Sequence, residues 1–350
     1  MTSSTVIRED ALGEPTDATG LLRPIGILGT GLYVPERVVT NGELTMTLDT
    51  SDEWITTRTG IRERRFIDEG LATSDMCFRA GQMALARANI TADDLDAIIV
   101  TTFTPDQPLP STALIVKESL GARRAIPLDL TQAACAGGIY SMLTAAHLLQ
   151  NASFNYVLVI GGDSCSRVTD PTERTTRVFL GDAAGAAVLG PTNAGFGLLA
   201  WDTGDELSYE VEIPAGGSRQ PTSQATIDAR NQFLKMNGRA VWDMAVDKIP
   251  RTIAESAKRA GVSVNDVEYF LLHQANLNII NEAMMALGVP KHRAPTTVAR
   301  FGNTAAASMF TVLHETMDHG VEHGALMILA GIGAGFMWGS LCFRHFGGEG

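Results

Sequence analysis

Residues 126–150 read I-P-L-D-L-T-Q-A-A-C-A-G-G-I-Y-S-M-L-T-A-A-H-L-L-Q. The apolar run Ile126–Leu130 reads as a strand, and small residues then lead to Cys135. Ile139, Met142, Leu143, Ala146 and Leu149 recur at helical spacing, so a helix follows the two glycines. A cysteine at such a junction sits at a helix N-terminus. Free backbone N–H groups there favour an anion, so the thiol pKa is expected to fall. Ala133, Ala134, Ala136, Gly137 and Gly138 are expected to leave room for a thioester to approach the sulfur. The alternative is a small buried filler.

Working outward, strands and helices alternate on both sides. Upstream, Ile25–Tyr33 reads as a strand, Thr73–Ala88 as a helix, Leu95–Phe103 as a buried strand and Ser111–Leu120 as a helix. Downstream come strands at Phe154–Gly162 and Phe179–Gly190. The pattern then repeats: a strand at Gly195–Trp201, a long polar connection at Asp202–Ala229 and a helix at Arg239–Ala260. A strand at Val267–Leu272 and helices at Asn276–Leu287 and Thr304–Asp318 follow, with closing strands at Ala325–Gly331 and Gly335–Phe343. This is the signature of an α/β fold built as two similar halves, expected at 23–194 and 195–350. Residues 1–22 are polar and read as a flexible extension without the apolar core of a signal peptide.

Composition narrows the class. The 350 residues include 35 glycines, 45% are hydrophobic and the net charge is −12. That charge argues against nucleic acid or an anionic membrane as partner. Cys77, Cys135, Cys165 and Cys342 are widely spaced, which suits reduced thiols in a cytoplasmic protein rather than a disulfide framework or zinc site. Residues 325–343 are uncharged but broken by glycines, so two buried strands explain them better than a membrane span. His314-Glu315 with His319 and His323 lacks the helical spacing of a zinc motif, and these read as solvated helix-end residues. No metal or cofactor is expected. Gly26, Gly29 and Gly31 fall short of a dinucleotide fingerprint, because Pro35 stands where its helix should run.

Two further polar residues stand at strand–helix junctions, where α/β folds place functional groups. His273 ends a buried strand in L-L-H-Q-A-N, and Asn303 lies in G-N-T-A-A-A-S. Taken singly, one fits a satisfied core histidine and the other a helix cap. Asp52–Arg65 is arginine-rich around Trp54 and could hold an adenine ring and phosphates, or be a solvated face.

These stretches together carry a resemblance. S-D-E-W-I-T-T-R-T-G-I-R-E-R (51–64), A-A-C-A-G-G (133–138), F-L-G-D-A-A-G-A-A-V-L (179–189), H-Q-A-N (273–276), G-N-T-A-A-A-S (302–308) and G-F-M-W-G-S (335–340) resemble the β-ketoacyl-acyl-carrier-protein synthase III family of the thiolase superfamily. The resemblance implies two βαβαβ-type halves in a five-layer α-β-α-β-α core and a homodimer. It also implies a Cys135–His273–Asn303 triad, and an oxyanion hole from the backbone N–H groups of Cys135 and Ala334. Trp54, Arg58 and Arg174 would bind CoA, and Leu109 would reach across the dimer to floor the partner's acyl pocket.

The implied reaction begins with transfer of an acyl group from acyl-CoA to Cys135. Decarboxylative condensation with malonyl-CoA or a malonyl-carrier-protein then starts a fatty-acid or polyketide-type chain. Acyl transfer to an alcohol or amine is the runner-up, and a non-catalytic partner subunit the third reading.

Three departures stand out. The final turn is Gly333-Ala334-Gly335 rather than three glycines, and is expected to differ slightly because Ala disfavours positive φ. The Asp129–Cys135 spacing is one residue longer than expected. Where the family bears Lys or Arg for an acidic carrier protein, this chain has Asp243, Asn278, Met285 and Ala286.

Overall fold

The computed structural model describes residues 20–131 and 134–347. The extension expected at 1–22 therefore lies outside the described residues except for its last three. Nine strands form two sheets: β1 (Ile25–Tyr33), β2 (Ala97–Thr101), β3 (Ile126–Leu130), β4 (Val157–Ser164), β5 (Asp182–Pro191), β6 (Gly197–Asp205), β7 (Tyr269–Leu272), β8 (Leu326–Gly333) and β9 (Met337–Arg344). The first sheet has the order β1-β5-β4-β2-β3 and the second β7-β8-β9-β6.

The pairing is the same in both sheets. In the first, β1–β5 and β5–β4 are antiparallel and β4–β2 parallel. In the second, β6–β9 and β9–β8 are antiparallel and β8–β7 parallel. The inferred duplication of architecture is thus present, with β3 an extra parallel edge strand in the first half. β4 and β8 are buried along their whole lengths, which is why they read as continuous apolar runs without alternation.

Among the described residues seven helices have eight residues or more, α1 (Asp52–Thr59), α2 (Thr73–Arg87), α3 (Thr112–Leu120), α4 (Gly137–Leu148), α5 (Gly238–Arg259), α6 (Leu277–Leu287) and α7 (Ser308–Asp318), and the last six complete the layers. α2 and α3 cover the outside of the first sheet through Met76, Ala80, Ala84 and Val116. α5 and α6 cover the outside of the second through Ile249, Ile253, Ile280 and Met284. α4 and α7 lie between the sheets, where Ile139, Met142, Phe310 and Leu313 pack against Val159 and Leu329. Burying each such side chain contributes roughly 1.5–3 kcal/mol. The result is the expected five-layer α-β-α-β-α core.

The glycines beside Cys135 serve this packing rather than substrate access. A Cβ on Gly137 would meet Thr101 Oγ1 at 2.0 Å, and one on Gly138 would meet Met309 Cε at 2.5 Å. Ala136 is also buried, and among the described small residues expected to make room only Ala134 lines the cavity at Cys135. Ala133 lies outside the described residues.

Other local expectations shift with tertiary context. The polar connection expected at 202–229 is partly structured: β6 continues to Asp205, and a short ribbon pairs Val211–Glu212 with Lys235–Met236. His314 is not a solvated helix-end residue. It is buried, and its Nδ1 hydrogen-bonds Thr30 Oγ1 of β1 at 3.0 Å. Ala334 does not take a positive φ, so alanine is accommodated and the left-handed residue of that turn is Gly335, at φ 136°. Asp129 receives the first N–H groups of α3, from Thr112 at 2.9 Å and Ala113 at 2.7 Å.

Candidate active site

A cavity of about 410 Å³ lies between the two halves, lined among others by Cys135, His273, Asn303 and Ala334. Cys135 enters it from the single turn Ala134–Ala136 that leads into α4. Ala134 takes a left-handed φ of 40°, a conformation disfavoured for a residue with a side chain. His273 follows directly on β7, and its N–H continues the ladder to Ala330 O of β8 at 2.8 Å. Asn303 is held by the first half: its N–H donates to Phe179 O at 2.8 Å, and its carbonyl accepts Gly181 N–H at 3.0 Å. Gly302 permits this approach, since a Cβ there would lie 2.7 Å from Phe179 O. The two motifs F-L-G-D and G-N-T-A, far apart in the chain, thus form one bridge across the halves.

The side chains are fixed by neutral hydrogen bonds. Asn303 Oδ1 accepts the N–H of Ala305 at 2.9 Å, the cap that Asn at such a junction suggests. Its side chain also lines the cavity beside Cys135 and lowers the pKa of that thiol, so a cap and a place in the site coexist in one residue. With Oδ1 engaged by Ala305, the end of the amide that can donate is its nitrogen.

His273 Nδ1 is hydrogen-bonded to the Ser308 hydroxyl at the start of α7. Ser308 Oγ also accepts Gln274 N–H at 3.3 Å, and its own proton remains available to Nδ1. When Ser308 donates to Nδ1, the ring proton is on Nε2, the tautomer that can act as a donor to a substrate. Gln274 is buried and locks the same turn, accepting Thr297 N–H at 2.8 Å and donating to Leu272 O at 2.7 Å.

The electrostatics correct one expectation. Burial pushes the Cys135 thiol up to about 12, and the charge of Asp163 adds to this. The helix-start backbone and Asn303 pull it down but do not win. His273 carries no charge at neutral pH, since burial lowers its pKa to about 4. The site therefore holds a protonated thiol, a neutral imidazole donor and an amide donor. Such donors stabilise negative charge on a thioester oxygen.

Trp54 and Arg58 lie one turn apart on α1, on the same face. The Arg174 guanidinium stands over the Trp54 ring, 5.4 Å from its centroid, and donates to Asp49 O at 2.7 Å. Asn276 and Asn278 fasten the end of α1, both bonding Arg58 O, with Asn278 also reaching Thr57 O at 3.2 Å. Asn276 also lines the cavity, so the C-terminal end of α1 is tied to a residue of the cavity wall. Leu109 is not in its own chain's cavity; it stands 84% exposed in the loop before α3.

Several residues of the site carry no simple sequence signal. Phe103 lines the cavity, Asp163 bonds Phe103 N–H and Ser308 bonds His273, and of the three only Ser308 lies in one of the family-like stretches, G-N-T-A-A-A-S. Among the described residues no cluster of three His, Cys, Asp or Glu side chains is placed to hold a metal ion.

Comparison with known proteins agrees with this architecture. Models of 3-oxoacyl-[acyl-carrier-protein (ACP)] synthase III and of its C-terminal part match residues 128–206 and 257–345. The β-ketoacyl-[acyl-carrier-protein] synthase III of Geobacillus kaustophilus is 41% identical over 320 residues, covering 91% of this chain and 98% of the relative. The crystal structure of the Thermus thermophilus synthase III superposes with a TM-score of 0.85 at 37% identity, covering 93% of this chain and all of that one. The priming β-ketosynthase of the R1128 polyketide pathway superposes at 0.86 with 29% identity, covering 93% of this chain and 98% of that one. The chain belongs to the 3-oxoacyl-[acyl-carrier-protein] synthase III family.

Proposed function

We propose that this ketosynthase III condenses a Cys135-bound acyl group with a malonyl thioester, and so starts a fatty-acid or polyketide-type chain. The observation that supports it most directly is the convergence of Cys135, His273 and Asn303 on one apolar cavity. In the first half-reaction the Cys135 sulfur attacks the acyl-CoA carbonyl. CoA leaves as its thiol, taking up the cysteine proton. The backbone N–H groups of Cys135 and Ala334 receive the transient oxyanion.

In the second half-reaction the malonyl carboxylate leaves as CO₂ and its electron pair becomes an enolate. His273 and Asn303 both donate to the enolate oxygen. The enolate carbon attacks the acyl carbonyl, the Cys135 thiolate departs, and a solvent proton restores the thiol. Simple acyl transfer needs no enolate stabilisation, so the paired donors favour condensation over transfer to an alcohol or amine. No metal or redox cofactor takes part in this scheme.

Acyl-CoA enters past Trp54, Arg58 and Arg174. The second substrate we assign is malonyl-CoA in preference to a malonyl-carrier-protein. Asp243 is tied to Arg239 at 2.9 Å, the Asn278 amide is spent on α1 carbonyls, and Met285 is 61% exposed. None of the four positions offers a cation to an acidic carrier helix.

A homodimer fits the uncovered β3, which pairs only with β2 among the described strands, and the exposed Leu109. Free cysteines and the absence, among the described residues, of a helix long and apolar enough to cross a membrane suit a cytoplasmic enzyme. The deciding experiment is incubation with a panel of acyl-CoAs, reading the adduct on intact protein and its location by peptide mass. An adduct that survives Cys135→Ala would overturn the proposal.

A further inference from the structure

Asp163 is a buried carboxylate that the reaction scheme does not use. It stands at the end of β4, fully enclosed, and no basic side chain bonds it among the described residues. Its Oδ1 accepts from Thr102 Oγ1 at 2.8 Å, Phe103 N at 3.0 Å, Thr104 N at 3.2 Å and Thr104 Oγ1 at 2.9 Å. All four donors belong to the loop after β2, in the first half. Among the described residues its Oδ2 accepts a single donor, Ala306 N at 3.0 Å, from the second half.

That single donor sits in a consequential place. Ala306 lies in the turn Ala305–Ala307 between Asn303 and α7. The preceding N–H, on Ala305, holds the Asn303 amide, and Ser308 immediately after holds the His273 ring. Ala305 has a left-handed φ of 49°, a conformation an alanine keeps only where its surroundings impose it.

We propose that Asp163 is a positioning residue: through Ala306 N–H it sets the turn that aims Asn303 and His273 at Cys135, while its other oxygen anchors the Phe103 loop of the cavity wall. Its charge also acts on the thiol it stands behind. The titratable groups that feel it are Cys77 on α2, Cys135 and Cys165. Burial pushes Asp163 itself up to about 6, and the hydrogen bonds from Ala306, Thr102, Thr104 and Phe103 oppose this. Protonation makes the carboxyl a weaker acceptor than the carboxylate, so the hold on Ala306 N–H loosens as pH falls through that value.

The proposal rests on the assigned roles of Cys135, His273 and Asn303. Asp163→Asn keeps the shape and one acceptor oxygen for the Thr102–Thr104 donors but turns an NH₂ toward Ala306 N–H. CO₂ release from malonyl-CoA is expected to fall ~10²-fold, the scale of losing one oxyanion donor, with acylation of Cys135 reduced less than about tenfold. With the negative charge gone, the pH midpoint for iodoacetamide alkylation of Cys135, read by peptide mass, is expected to move down. A purely structural role would lower both half-reactions alike and leave that midpoint in place; either that result or full decarboxylation in Asp163→Asn overturns the proposal.

Thr102→Val guards against misfolding. Removing one donor raises the Asp163 pKa, so the acid limb of CO₂ release should move to higher pH; an unmoved limb refutes the mechanism. Failure of wild-type Cys135 to take up any acyl group would instead sink the condensing reading itself.

Discussion

Asn303 Oδ1 accepts the N–H of Ala305 at 2.9 Å, which leaves the amide nitrogen as the end of the side chain that can donate within the cavity shared with Cys135. On the proposed mechanism, this one local hydrogen bond decides which end of the amide meets the substrate. Asn303→Ala should keep acylation of Cys135 yet lower CO₂ release from malonyl-CoA by ~10²–10³-fold. Asn303→Asp should be as poor, because it offers an acceptor where a donor is needed. Parallel assays of adduct mass and released CO₂ decide this, and unchanged condensation in Asn303→Ala would favour the acyltransferase reading.

Ser308 orients His273 through Nδ1. Ser308→Ala frees the ring to exchange tautomers, so decarboxylation should fall while acylation continues. Ser308→Thr keeps the hydroxyl and should restore much of the rate. Equal activity in serine and alanine forms would show that the tautomer is held by something else.

The buried pair His273 and Asp163 should leave opposed marks on stability. His273 titrates at about 4 when folded, below its ordinary value, so its contribution is full above about 6.5 and lost as pH falls towards 4. Asp163 titrates at about 6, above its ordinary value, so its contribution is present at low pH and lost as pH rises through 6. The two partly cancel between pH 4 and 6.5. Thermal unfolding of Asp163→Asn should therefore fall more steeply towards acid than the parent, and that of His273→Gln should fall as pH rises. Parallel pH profiles for all three proteins would refute both assignments.

Arg174 over Trp54 marks the expected adenine site. A cation–π contact contributes about 0.5–2 kcal/mol, so Trp54→Ala should raise KM for acyl-CoA roughly twofold to thirtyfold with little change in kcat. A fall in kcat at unchanged KM would place CoA elsewhere.

Malonyl-CoA should outperform malonyl-carrier-protein as second substrate, and the carrier reaction should show little salt dependence. Opposite charges speed encounter and are screened by salt. Faster turnover of the acidic carrier, weakened by salt, would mean that a basic patch away from Asp243, Asn278, Met285 and Ala286 does the docking. Arg239, 82% exposed at its side chain, would be the first candidate.

The alternation of strands and helices, the helix start after Cys135 and the strand end at His273 are set by periodicity, capping and small-residue spacing, all of which act within a few residues. They were legible in order along the chain, and the motifs around them pointed to the family. What followed from burial was not legible. The helix start by itself predicts a lowered Cys135 thiol, but burial in the folded protein removes water from it and raises it. Local sequence predicts a solvated His314, yet its partner Thr30 is 284 residues away. Asp163 had no mark in sequence, because its bond to Ala306 joins residues 143 apart and exists only once the two halves have packed. Residue type and local pattern determined the chemistry available to this protein. Desolvation and long-range hydrogen bonding, which only the tertiary structure brings, decided the charge and aim of the groups that carry it.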